Sequence, residues 1–126
     1  MNPTAVVNLS SILLVAAGGA VGCVARFLAI RQVVRFNPGN FPLGTMLVNI
    51  IGSLLIGYVL GKYGAQHSTR AFFVTGMLGG FTTFSAFSWD ALQLVNRGEW
   101  GGAALYVGGS VVLSVLAVAI GFQIGR

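Results

Sequence analysis

Hydrophobic positions run through this chain in four long blocks, with polar residues gathered mostly in the short stretches between them. The first block, Leu9 to Ile30, is longer than a signal-peptide core and predicts a retained membrane span. A polar connector from Arg31 to Pro42 follows, with Asn37-Pro38-Gly39-Asn40 as its turn signal. Further spans are predicted over about 43–61, 71–95 and 102–125, joined by Lys62 to Arg70 and by Asn96 to Gly101. The pattern predicts an all-α membrane protein, a single four-helix transmembrane domain over 1–126 with almost nothing outside the bilayer. Met1-Asn2-Pro3-Thr4 carries no Lys or Arg ahead of the first block.

Two features interrupt the blocks. Gly18 with Gly22, and Gly57 with Gly61, form small-residue pairs four apart, a spacing that puts both on one helical face and lets backbones approach closely. The third block contains Gly79-Gly80-Phe81-Thr82-Thr83-Phe84-Ser85-Ala86-Phe87-Ser88 about midway between Arg70 and Arg97. Paired glycines beside hydroxyl residues weaken a helix and supply donors and acceptors where hydrocarbon is expected. The run is either packing glue or a site.

Composition agrees with the pattern: 56% of the 126 residues are hydrophobic and 7% charged, with a mean hydropathy of +0.87. The bilayer is therefore the expected solvent. A net charge of +5 would suggest nucleic acid in a soluble domain, but the basic residues are scattered singly and form no phosphate-tracking patch, so no nucleic-acid partner is expected. The single cysteine, Cys23, lies in an apolar stretch and reads as a small packing residue. Neither catalytic residues nor enzymatic activity is expected.

Charge also bears on orientation. Lys62, Arg70 and Arg126 fall on the side of both termini, and Arg31, Arg35 and Arg97 on the other. This balance gives the positive-inside rule little to act on. A chain without bias can insert both ways, and two copies in opposite orientations can pair about a twofold axis in the membrane plane. A dual-topology antiparallel homodimer is the resulting expectation.

Polar groups at membrane depth are costly and count as functional candidates. Arg26, about one turn before Ile30, is a snorkelling anchor or a fixed positive charge at the mouth of an anion path. Asn49, with Thr45 one turn earlier, offers amide donors to a ligand or an interhelical hydrogen bond. Tyr106, Ser110 and Ser114 recur at intervals of four, placing three hydroxyls on one face. Phe81, Phe84 and Phe87 share a face next to Thr82, Ser85 and Ser88. An aromatic edge is weakly positive, so rings beside hydroxyls can present positive potential without a full charge. Asp90 is the sole acid of the third span and reads as an end-of-helix carboxylate facing water. Donors and ring edges without a ring of carboxylates favour an anion over a cation as the moving species.

These residues give the chain a likeness. Gly18-Gly19-Ala20-Val21-Gly22 followed by Arg26, Gly44-Thr45-Met46-Leu47-Val48-Asn49, the run from Thr75-Gly76 to Ser88, and Tyr106 with Ser110 and Ser114 together resemble the CrcB/Fluc family of fluoride channels over essentially the whole chain. The resemblance implies a dual-topology antiparallel homodimer with a break in the third helix and two pores. Through them fluoride leaves the cytoplasm passively across a bacterial inner membrane, which lowers its toxicity. It implies ring edges of Phe84 and Phe87 along the fluoride path, with Asn49, Tyr106, Ser110 and Ser114 as its polar lining and Arg26 near the aqueous vestibule; Thr45, one turn before Asn49, and Ser85, beside Phe84, are taken as further pore candidates. It also implies a central, structural sodium ion held by backbone carbonyls of Gly79 and Thr82, oxygen ligands suited to a hard cation. Ala86 stands where the family commonly has threonine, and Asp90 where glutamate is frequent. The competing readings are a small dual-topology proton-coupled exporter, for which Asp90 is the one titratable candidate, and a purely structural membrane subunit.

Overall fold

The computed structural model describes residues 7–64 and 66–126. The first residues, including Met1-Asn2-Pro3-Thr4, lie outside the described residues, as does one position of the Lys62 to Arg70 connector. Helix α1 spans Leu9–Phe36, α2 Leu43–Tyr63, α3 residues 67–81, α4 Phe84–Asn96 and α5 Trp100–Gly125. Among the described residues, four helical stretches are long and apolar enough to cross a membrane, with α3 and α4 together forming the third. Even the shortest, 21 residues, reaches about 31 Å at a rise of 1.5 Å per residue, matching a hydrocarbon core of about 30 Å.

Helix α1 starts at an Asn8 cap, whose Oδ1 accepts from Ser11 N at 2.8 Å. It does not stop at Ile30: Arg31 to Phe36 continue it, and it ends where Pro38 drives Asn37 out of helical conformation, at φ −138° and ψ 79°. The predicted connector from Arg31 is thus half helix. Arg26 consequently lies well inside α1, ten residues before its end, and the reading of it as an end-of-helix snorkelling anchor falls.

The helices associate as two seams, α1 against α3 and α2 against α5. Both are built on glycine. A Cβ on Gly18 would collide with the Phe72 carbonyl oxygen, and one on Gly22 with that of Met77. In the other seam, a Cβ on Gly57 would collide with the Val118 carbonyl and one on Gly121 with that of Leu54. Within each seam the contacts advance together along both helices, so odd spans run parallel to each other and even spans likewise. Backbones at such distances gain dispersion and Cα–H···O contact where lipid offers no hydrophobic gain. Opposite Gly18 and Gly22, Arg70–Leu78 winds as a π-helix, a widened form used in short pieces and often near functional sites.

The third span breaks at Thr82 and Thr83, both extended, with φ/ψ of −91°/158° and −153°/123°. Beyond the break, α4 leaves α1 and leans on α5 through Phe87, Leu94, Ala103 and Tyr106, which form one buried cluster. At that end Arg97 Nη2 donates to Asn40 O at 3.1 Å, tying the two connectors together.

Candidate functional site

The candidate site lies where the third span breaks. Ordinary helix geometry would send the Thr83 N–H to the Gly79 carbonyl, Phe84 N–H to Gly80 and Ala86 N–H to Thr82. Each carbonyl loses that donor or exchanges it. Thr83 N–H goes to Asn49 Oδ1 at 2.7 Å, Gly80 O takes Arg26 Nε at 3.0 Å, and Ala86 N–H caps on Thr83 Oγ1 at 3.2 Å. Asn49 Nδ2 in turn donates to Thr83 O at 2.9 Å. One amide thus replaces the lost helical acceptor of the Thr83 N–H across the gap between α2 and the break, and adds a second donor to Thr83 O, which as the cap of α4 keeps its intrahelical bond. Its orientation follows from the bonds, since Thr83 N can only donate and Thr83 O only accept.

This clamp forms one end of a cavity of about 260 Å³ lined by Asn49, Ser53, Ile56, Thr82, Thr83, Phe84, Phe87, Ser110, Val111 and Ser114. None of its lining residues is charged. Phe84 and Phe87 stand 5.5 Å apart between ring centres at 38°, and Phe87 continues to Tyr106 at 5.2 Å and 34°. Phe84 is 77% exposed, whereas Phe87 is buried. Ser110 Oγ is buried in the wall without a hydrogen-bond partner among the described residues. A buried hydroxyl that finds no protein acceptor costs free energy unless a ligand or water takes its proton.

The structure therefore brings Asn49, Thr82, Phe84, Phe87, Ser110 and Ser114 to one cavity and leaves other candidates outside it. Tyr106 is fully buried behind Phe87, and its hydroxyl donates away from the cavity to Asp90 Oδ2 at 3.1 Å. The hydroxyl stripe of the fourth span thus divides between two places. Thr45, also buried, and Asp90 line a second cavity of about 180 Å³ toward the connectors. Asp90 is accordingly half-buried and hydrogen-bonded, and the expectation of a carboxylate simply facing water falls. Ser85 is exposed, near Thr83 Oγ1 at 3.2 Å. Arg26 sits behind the break on the α1 side. Sequence reasoning missed Ser53, which follows Asn49 by one turn on the same face and donates to its carbonyl at 2.6 Å. Its spacing was the available signal.

As to metal sites, Gly79 O and Thr82 O are the carbonyls whose helical donors have gone to Asn49 and to Thr83 Oγ1. Carbonyl oxygens released in this way are the donor set that a hard cation takes.

Long apolar helices, a break at mid-span and a cavity lined by hydroxyl, amide and aromatic groups define a small helical membrane protein of the ion-transport class. A family model described as CrcB-like protein, Camphor Resistance (CrcB), matches residues 13–122, and the chain belongs to that family. It is similar to proteins named fluoride-specific ion channel FluC. The one from Agrobacterium fabrum is 48% identical, over 92% of this chain and 96% of its own length. The one from Cereibacter sphaeroides is 50% identical, over 94% and 96%, and the one from Paracoccus denitrificans 51%, over 90% and 93%.

Proposed function

We propose that this protein is a fluoride-selective channel of the bacterial inner membrane, which lets fluoride leave the cytoplasm down its own gradient. The relatives named above carry that activity in their names. The observation that carries the reading is Ser110 Oγ, a buried hydroxyl with its proton unassigned in a cavity whose lining includes further donors and no carboxylate. A small, strongly hydrated anion needs such O–H and N–H groups to replace its water. Asn49 keeps one N–H of its amide beyond the bond to Thr83, and the Phe84 and Phe87 rings add weakly positive edges.

The working unit is two copies in opposite orientations. The hydroxyl and amide groups of the cavity are costly against hydrocarbon, and a second copy covers them. The near-equal distribution of Lys and Arg over the two ends supports insertion both ways. Gly79 O and Thr82 O fit a structural sodium ion, which when bound supplies positive charge to carbonyls left without donors. This chain's own part is to release those oxygens, through the Asn49 clamp and the Thr83 cap.

Purified protein reconstituted alone into liposomes should release fluoride with no proton gradient, while chloride stays inside. Absence of fluoride release, or release that requires a proton gradient, refutes the channel.

A further inference from the structure

We propose that Arg26 is the positioning residue of the helix break, acting through its Nε–H as the surrogate for the missing backbone donor to Gly80. Ordinary helix geometry assigns the Gly80 carbonyl to Phe84 N–H. The chain turns extended at Thr82 and Thr83, and Arg26 Nε–H occupies the lost bond at 3.0 Å in a half-buried setting. The glycine seam makes this reach possible. A Cβ on Gly22, one turn before Arg26, would meet Met77 O and stand 3.0 Å from Phe81 N, and a Cβ on Gly80 would stand 2.8 Å from Gly19 O. At that separation the side chain of the next turn of α1 falls beside the last turn of α3.

The consequence extends to the cavity. Gly80 lies between Gly79, whose carbonyl the break releases, and the run Phe81 to Phe84. A bond that holds Gly80 O decides where α3 ends, and so where Thr83 meets Asn49 and where Phe84 begins α4. Arg26 then works through geometry and not by attracting an anion from solution. The two roles make opposite demands on the side chain, since the first needs an N–H at the Nε position and the second needs a charge.

Glutamine and methionine separate them. Arg26→Gln carries an amide nitrogen at the place of Nε without the charge, Arg26→Met carries a methyl there, and Arg26→Lys keeps the charge while losing the N–H at that position. In liposomes, Arg26→Gln should retain fluoride release within about threefold of wild type and Arg26→Met should lose about tenfold or more, the loss expected when a buried carbonyl is left without a donor. Amide exchange over residues 82–86 should quicken in Arg26→Met and stay at the wild-type rate in Arg26→Gln. Wild-type release in Arg26→Lys together with equal losses in glutamine and methionine overturns the assignment, as does unchanged exchange in Arg26→Met. Should the methionine protein fail to fold, the wild-type protein still decides. Its Arg26 Nε–H should exchange with water more slowly than those of the exposed Arg31 and Arg35, and equal rates overturn the assignment. The flux measurement rests on the channel reading, whereas the exchange measurements do not, so a protein that moves no fluoride defeats the former without touching the latter.

Discussion

The two halves of the third span are held by opposite means. Residues 67–81 lie in a seam where glycine lets backbone touch backbone, and a Cβ at Gly18 or Gly22 has nowhere to go. Phe84–Asn96 leans on α5 through large side chains, Phe87 on Tyr106 and Leu94 near Ala103, and keeps a cavity beside it. The first half is sealed by shape and the second is left open by it. Between them, the Asn49 amide, the Thr83 hydroxyl and the Arg26 guanidinium engage backbone groups that a continuous helix would have satisfied. Close backbone packing supplies rigidity in lipid, where burial of apolar surface does not. That rigidity lets the other half carry unspent hydrogen-bonding groups at membrane depth.

Damage to the seam should act on folding before function. Gly22→Val drives side-chain atoms into the Met77 carbonyl, a backbone oxygen that cannot turn aside. The expected cost is about 3 kcal/mol or more, at the upper end for overpacking, seen as loss of a monodisperse peak after extraction and of a cooperative thermal transition. A folded, conducting Gly22→Val protein would erase the distinction between the halves.

Asn49→Ala should act on both sides of the comparison. It leaves the Thr83 N–H without an acceptor, a loss of about 1–3 kcal/mol for a buried group, and takes the second donor from Thr83 O. A lowered melting temperature and a loss of fluoride release are expected together. The cavity variants Phe84→Ile and Phe87→Ile should separate the two readouts. Isoleucine keeps apolar bulk but has no ring edge, so fluoride release should fall while the protein remains folded and paired. A smaller effect is expected from the medium: replacing sodium by a large organic cation should slow release or weaken pairing, and indifference to that exchange counts against Gly79 O and Thr82 O as cation ligands.

Much of this arrangement was legible in the amino-acid pattern. Hydropathy marks depth in lipid, so the four spans followed directly; the run from Gly79 to Ser88 marked a weakened helix at mid-span, and the family resemblance implied the break there. Spacing four apart found Gly18 with Gly22 and Gly57 with Gly61, and the same rule applied to Asn49 reaches Ser53. Helix ends were less legible, because Arg31 to Phe36 is polar enough to leave the membrane and still helical. That error moved Arg26 toward a surface and hid its bond to Gly80. The Tyr106 to Asp90 bond was hidden for another reason. A stripe of hydroxyls shows a shared face but not which way each O–H turns, and Tyr106 turns toward α4's acid while Ser110 faces the cavity.

Ser110→Ala provides the most direct test that the open half is built for an anion. Removing a buried hydroxyl that has no partner among the described residues takes nothing from the fold, so the melting temperature should hold or rise. Fluoride release from liposomes at matched protein density should fall by about tenfold, the effect of one lost donor. Wild-type release from Ser110→Ala, at unchanged stability, would contradict the account.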